Sequence, residues 1–129
     1  MSVLDASALL AFLQGEDGAA LVEQALIASA CCSAANWSEV AQKILASGHN
    51  WELAATLLAT YGLDIEPVTR EDGDLAARLW RPGSALFLGD RLCLALGARL
   101  GRPVLTADRQ WAALDDDVPG PAIEVVIIR

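Results

Sequence analysis

The sequence predicts an α/β fold of three layers, with a central, mainly parallel sheet between two layers of helices. Two observations carry that prediction. Short apolar, β-prone runs alternate with stretches at helical spacing along the whole chain. No repeat, low-complexity segment or linker breaks the alternation, so residues 1–129 are expected to form one domain. Strands separated by helices of this length pair in parallel through right-handed crossovers.

Val3 and Leu4 read as the end of a buried strand, and Ala8, Leu9, Leu10, Phe12 and Leu13 as one face of the helix after it. In "GEDGAALVEQALIAS" the residues Ala19, Ala20, Leu21, Ala25, Leu26 and Ile27 recur at helical spacing, and "ACCSA" suits a short buried strand. "NWSEVAQKILASG" reads as a helix capped by Asn36 and stopped at Ser47-Gly48, and "NWELAATLLATYG" as another closed by Gly62. "LDIEPV" alternates like a strand, with Pro67 placing it at an edge or a strand end. "REDGDLAARLW" is helical, "RPGSALFLG" is a loop, and "DRLCLALGARLG" is a helix that stops at Gly101. "PVLTAD" is a strand, "RQWAAL" a short helix, "DDDVPGP" a loop and "IEVVII" the last strand.

Composition narrows the function classes. With 54% hydrophobic residues and a mean hydropathy of +0.39 the chain is rich in apolar side chains, yet no run reaches the roughly 18 residues that span a membrane. Surplus apolar surface implies a partner or a self-interface. No positively charged segment precedes an apolar core at the start, so no signal peptide is evident and the expected location is the cytoplasm. Cys31, Cys32 and Cys93 form neither a metal knuckle nor an even disulfide framework and read as small core residues in a reducing compartment. His49 reads as a loop residue without a role.

The net charge of −8 argues at first against a polyanionic partner, but it is unevenly spread. Residues 1–64 hold seven acids and Lys43, whereas residues 65–129 hold ten acids and eight arginines. Cationic surface must therefore come from the second half, chiefly Arg78, Arg81, Arg91, Arg99, Arg102 and Arg109.

Four acids fall where strand ends meet helix starts, the edge at which parallel sheets bind ligands: Asp5, Glu39, Asp90 and Asp108. Each alone fits a local role. Glu39 follows Asn36 by three residues, as in a capping box, and the others could cap helices or sit at the positive end of a helix dipole. Together they are harder to explain structurally, since serine, threonine and asparagine cap as well. Two carboxylates about 4 Å apart repel by about 4 kcal/mol at an effective dielectric near 20. A divalent ion offsets that cost, and Mg²⁺ or Mn²⁺ takes a few carboxylates plus water. Such a site suits metal-assisted hydrolysis of phosphodiesters. No Ser-His pairing, Cys-His signature, Walker A loop or GxGxxG opening offers another chemistry.

The segments "VLDASALLAFL", "NWSEVAQKI", "LGDRLCLALG" and "PVLTADRQW", in this order over nearly the whole chain, resemble the PIN-domain ribonucleases, specifically the VapC-type toxins of bacterial toxin–antitoxin pairs. The resemblance implies a PIN-like α/β/α fold, Mg²⁺- or Mn²⁺-dependent endoribonuclease activity and inhibition by a cognate antitoxin. It carries the metal-site acids of the family onto Asp5, Glu39, Asp90 and Asp108, and its hydroxyl residues onto Ser7 and Thr106. In this reading Asp5, Glu39 and Asp90 hold one ion or two, Asp108 is a ligand or stands behind the ligands, and Ser7 and Thr106 orient waters or carboxylates. Arg91 and Arg109 each follow an acid and are candidates for RNA phosphate contact, and Trp37 and Trp111 for base stacking. The apolar helices of the first half are expected to supply an antitoxin groove and a homodimer face. Two other classes compete. One is a non-catalytic metal-binding interaction module, favoured by the acidic surface. The other is a phosphatase or receiver-like domain, disfavoured because "DAS" lacks a second aspartate and Lys43 lies within a helix.

Overall fold

The computed structural model describes residues 1–113 and 122–129 of the chain. The loop expected over 115–121 lies outside these residues. Five strands form one sheet: β1 (Ser2–Leu4), β2 (Ala30–Ser33), β3 (Asp64–Glu66), β4 (Val104–Thr106) and β5 (Val125–Ile127). Their spatial order is β3-β2-β1-β4-β5, and every pairing is parallel. Six α-helices connect them: α1 (Ala6–Gln14), α2 (Ala19–Ala28), α3 (Ala34–Ala46), α4 (Trp51–Thr60), α5 (Arg70–Arg78) and α6 (Leu88–Leu100). A short 3₁₀ helix, Arg109–Ala113, follows β4.

The three layers follow from the two-residue period of the strands. Leu4, Cys32 and Leu105 point to one side, where they pack with Leu9, Val22, Leu26, Val40, Ile44 and Leu58 from α1 to α4. Val3, Cys31 and Val104 point to the other, where they meet Leu79 after α5, Cys93, Leu94 and Leu96 of α6, and Trp111 of the 3₁₀ helix. The cysteines are core residues as expected: all three are free and buried, and burial pushes Cys31 up to about 11 and Cys32 up to about 12, so neither thiol is reactive near neutrality. β3 occupies the edge that Pro67 suggested.

The chain runs outward from β1 through β2 to β3, then crosses back to place β4 on the other side of β1. The sheet order therefore reverses between β1 and β4. At such a switch point the connections diverge to opposite faces and leave a crevice beyond the strand carboxyl ends. The register pairs Leu4 with Leu105, so the next residues, Asp5 and Thr106, emerge side by side into that crevice.

Two helix starts differ from the sequence expectation. Asn36 is not the cap of α3. Ser33, the last residue of β2, takes that place with its hydroxyl accepting from the Ala35 N–H at 3.1 Å, and Asn36 lies in the first helical turn, 1% exposed. The helix begins earlier because it grows directly from the strand end, where serine is a good cap. Likewise α6 begins at Leu88, which puts Asp90 in its first turn, with Oδ2 accepting from the Phe87 N–H at 2.9 Å. Among the tryptophans, Trp111 is 1% exposed in the core and is closed to base stacking, and Trp37 packs edge-on against Trp51 with ring centres 4.8 Å apart. No helix among the described residues is long and apolar enough to cross a membrane.

Candidate active site

Asp5 is the centre of a buried hydrogen-bonded cluster at the switch point. It caps α1 through Oδ1, which accepts from the Ala8 N–H at 2.8 Å. Thr106, at the end of β4, donates its hydroxyl to Asp5 Oδ2 at 2.5 Å, and the Ser7 hydroxyl lies 2.7 and 2.9 Å from the two carboxylate oxygens. Ser7 also accepts from the Ala107 N–H at 2.9 Å, and Thr106 Oγ1 from the Asp108 N–H at 3.1 Å. The hydroxyls thus tie the strand end that carries Asp108 to the helix start that carries Asp5. Burial pushes the Asp5 carboxyl up to about 6, against the pull of the Thr106, Ala8 and Ser7 donors and with a further rise from nearby Asp90.

Glu39 and Asp90 form the opposite wall. The amide Nδ2 of Asn36 donates to Glu39 Oε1 at 2.7 Å and to the Gly89 carbonyl at 3.2 Å, linking α3 to the amino end of α6. Burial also raises Asp90; the Phe87 N–H and Lys43 lower it, while the negative charges of Glu39 and Asp108 raise it. Asp108 Oδ1 accepts from the Gln110 N–H at 2.9 Å. These mutual effects place the four acids within one electrostatic neighbourhood. Among the described residues none of them forms an ion pair.

The set offers only carboxylate and hydroxyl oxygens, the donors that hard divalent cations take. In the conformation described, no three acidic, histidine or cysteine side chains among the described residues are grouped closely enough to hold an ion together. The chemistry of the donors fits such a cation, while Asp90 is still turned to a backbone N–H.

The two candidate arginines part company. Arg91 turns to α5, where its Nη1 donates to the Ala76 carbonyl at 2.8 Å, so that contact draws it out of the crevice. Arg109 stays, with Nε donating to the Arg129 carbonyl at 3.2 Å. Arg109 and Arg129 line an open hollow of about 400 Å³ with Ser7, Ala107 and Asp108. Arg129 escaped the sequence reading because only the pairing of β5 with β4 brings it here. Asn36, three residues before Glu39 and so on the same helix face, has the spacing of a cap, and in the structure it is instead a side-chain partner of Glu39.

These features define a parallel, five-stranded α/β fold with acidic side chains near its switch point. The PIN domain model matches residues 2–117, and the chain belongs to that nuclease family. No curated protein matches it in sequence. Its fold is similar to that of a toxin–antitoxin complex from Klebsiella pneumoniae, with a TM-score of 0.73 at 20% identity, covering 100% of this chain and 98% of the other. It is also similar to VapC20 of Mycobacterium tuberculosis, a sarcin–ricin loop cleaving toxin, at 0.64 and 14%, covering 92% and 100%. VapBC-5 of the same organism, a toxin–antitoxin system member, gives 0.60 at 26%, covering 99% and 97%.

Proposed function

We propose that this protein is a Mg²⁺- or Mn²⁺-dependent endoribonuclease that acts as the toxin of a type II toxin–antitoxin pair. The observation that supports the reading is that Asp90 feels the charges of Glu39 and Asp108 and raises Asp5, with no cation paired to any of the four among the described residues. Asp5, Glu39 and Asp90 would hold the ion, with Asp108 beside them. When bound, the ion supplies an acidified water and offsets charge on the phosphoryl oxygens.

The chain's own groups do the rest. Thr106 and Ser7 hold the Asp5 carboxylate in one orientation through hydroxyls that are themselves anchored to the β4 end. Arg109 and Arg129 give the acidic edge a cationic flank suited to the phosphates of single-stranded RNA. Arg91 is not retained for this role. The antitoxin reading draws on the complexes this fold resembles and on exposed apolar residues of α2, α3 and α4, among them Ile27 at 71% and Leu53 at 68%. A homodimer face and a cytoplasmic setting complete the proposal.

The test is cleavage of total RNA by purified, antitoxin-free protein. Discrete fragments that require Mg²⁺ or Mn²⁺, vanish with EDTA and fall at least 100-fold in Asp5→Asn and Asp90→Asn are expected on the scale of lost metal and electrostatic catalysis. The competing interaction-module reading, which the net charge of −8 favours, takes over if metal-supplied protein leaves every RNA intact.

A further inference from the structure

The link between α3 and α6 contains more than a nuclease core needs. Asn36 is 1% exposed, and its side chain has nearly the shape of leucine, which would fill the same space without a polar group. Both of its Nδ2 bonds go to the site, one to Glu39 Oε1 and one to the Gly89 carbonyl. Its Oδ1 is buried with no hydrogen-bond partner among the described residues, a cost that packing alone gives no reason to carry. Opposite it, Gly89 lies directly against Glu39. A Cβ at position 89 would stand 2.7 Å from Glu39 Cδ, 2.9 Å from Oε2 and closer still to Oε1. Gly89 sits in the first turn of α6 and is not among the glycines with positive φ, so its lack of a side chain serves close approach rather than backbone freedom.

We propose that Asn36 and Gly89 are positioning residues that clamp the Glu39 carboxylate against the amino end of α6, fixing it beside Asp90 for metal binding. This rests on the nuclease reading above, in which Glu39 and Asp90 share an ion. Asn36 holds one oxygen of Glu39 by hydrogen bond and leaves the other free to coordinate. Gly89 leaves the space the carboxylate occupies. Neither residue touches the ion; both act through Glu39.

Gly89→Ala separates positioning from stability. The three nearest atoms the new methyl meets are all at the far end of the Glu39 side chain, which can swing away, and alanine is the better helix former. Calorimetric titration with Mn²⁺ of the full chain, paired with thermal unfolding, is the test. Gly89→Ala is expected to weaken Mn²⁺ binding by about 10- to 100-fold, the usual effect of losing a group that orients a ligand, with a melting temperature equal to or above that of the wild type. Asn36→Leu is expected to weaken binding to a similar degree. Wild-type affinity in both variants, with or without a lower melting temperature, overturns the clamp and assigns these contacts to packing, while the nuclease reading stands. Absence of Mn²⁺ binding to the wild type itself overturns both.

Discussion

Asp5 is where helix structure and chemistry meet in one side chain. It caps α1, accepts from Ser7 and Thr106, and is nearly closed to solvent. Its carboxyl titrates at about 6 when folded and near 3.8 when unfolded. Between these values the folded protein holds a proton that the unfolded chain has released, so Asp5 lowers the stability of the metal-free protein as pH rises from about 4 to about 6. A shift of this size corresponds to about 3 kcal/mol. In EDTA, the stability advantage of Asp5→Asn over the wild type is therefore expected to grow by up to that amount across the window and then level off. Urea unfolding at a series of pH values checks it; a pH-independent difference would contradict the titration. Asp5 and Asp108 stand at strand ends as their apolar runs predict, whereas Glu39 lies inside α3 and Asp90 in the first turn of α6, which follows α5 and a loop, so neither sits at a strand-to-helix junction. The role of Asn36 was not legible in the sequence, since the same residue three positions before a glutamate reads equally as a cap or as a side-chain partner, and only the burial of the helix start decides.

Among the elements, α3 and α6 set the site's far wall, and α5 braces α6 from behind. The last two are joined by Arg99, whose Nε and Nη2 donate to the two oxygens of Asp72 at 2.9 and 3.1 Å, while the Asp72 and Thr69 side chains close a capping box at the start of α5. Burial alone would raise the Asp72 carboxyl, but the Arg99 and Thr69 donors outweigh it and hold it below its ordinary value. Arg99→Leu leaves this 3% exposed carboxylate without its cation. A loss of about 2 to 3 kcal/mol is expected in urea unfolding, below the range for a fully buried pair because Arg99 is partly exposed. The double variant with Asp72→Asn is expected to lose less, since no charge is then stranded. Element order and type were readable from periodicity and caps. The starts of α3 and α6 were not, because both helices open on residues without a strong cap signature of their own: α3 borrows Ser33 from the strand, and α6 follows Phe87.

At the scale of the molecule, parallel pairing followed from the alternation of strands and helices, but the order β3-β2-β1-β4-β5 did not. That order sets the end of β1 beside the end of β4, so that Asp5 meets Thr106 and the Asp108 segment, and it brings Arg129 from the last strand to the wall of the hollow beside Asp108. No local pattern encodes such an arrangement; it comes from how strands divide between the two sides of β1. The same topology sets two of the arginines of a chain of net charge −8, Arg109 and Arg129, beside Asp108, which is the cationic flank that the proposed function assigns to RNA phosphates. The central claim is that this edge is a metal site. It is tested most directly by calorimetric titration of Mn²⁺ into antitoxin-free wild-type protein and into Asp90→Asn at pH 7.5, above the range in which Asp5 takes up a proton. Saturable binding to the wild type that is lost in Asp90→Asn is the expected result; no binding, or equal binding by both, would contradict the account.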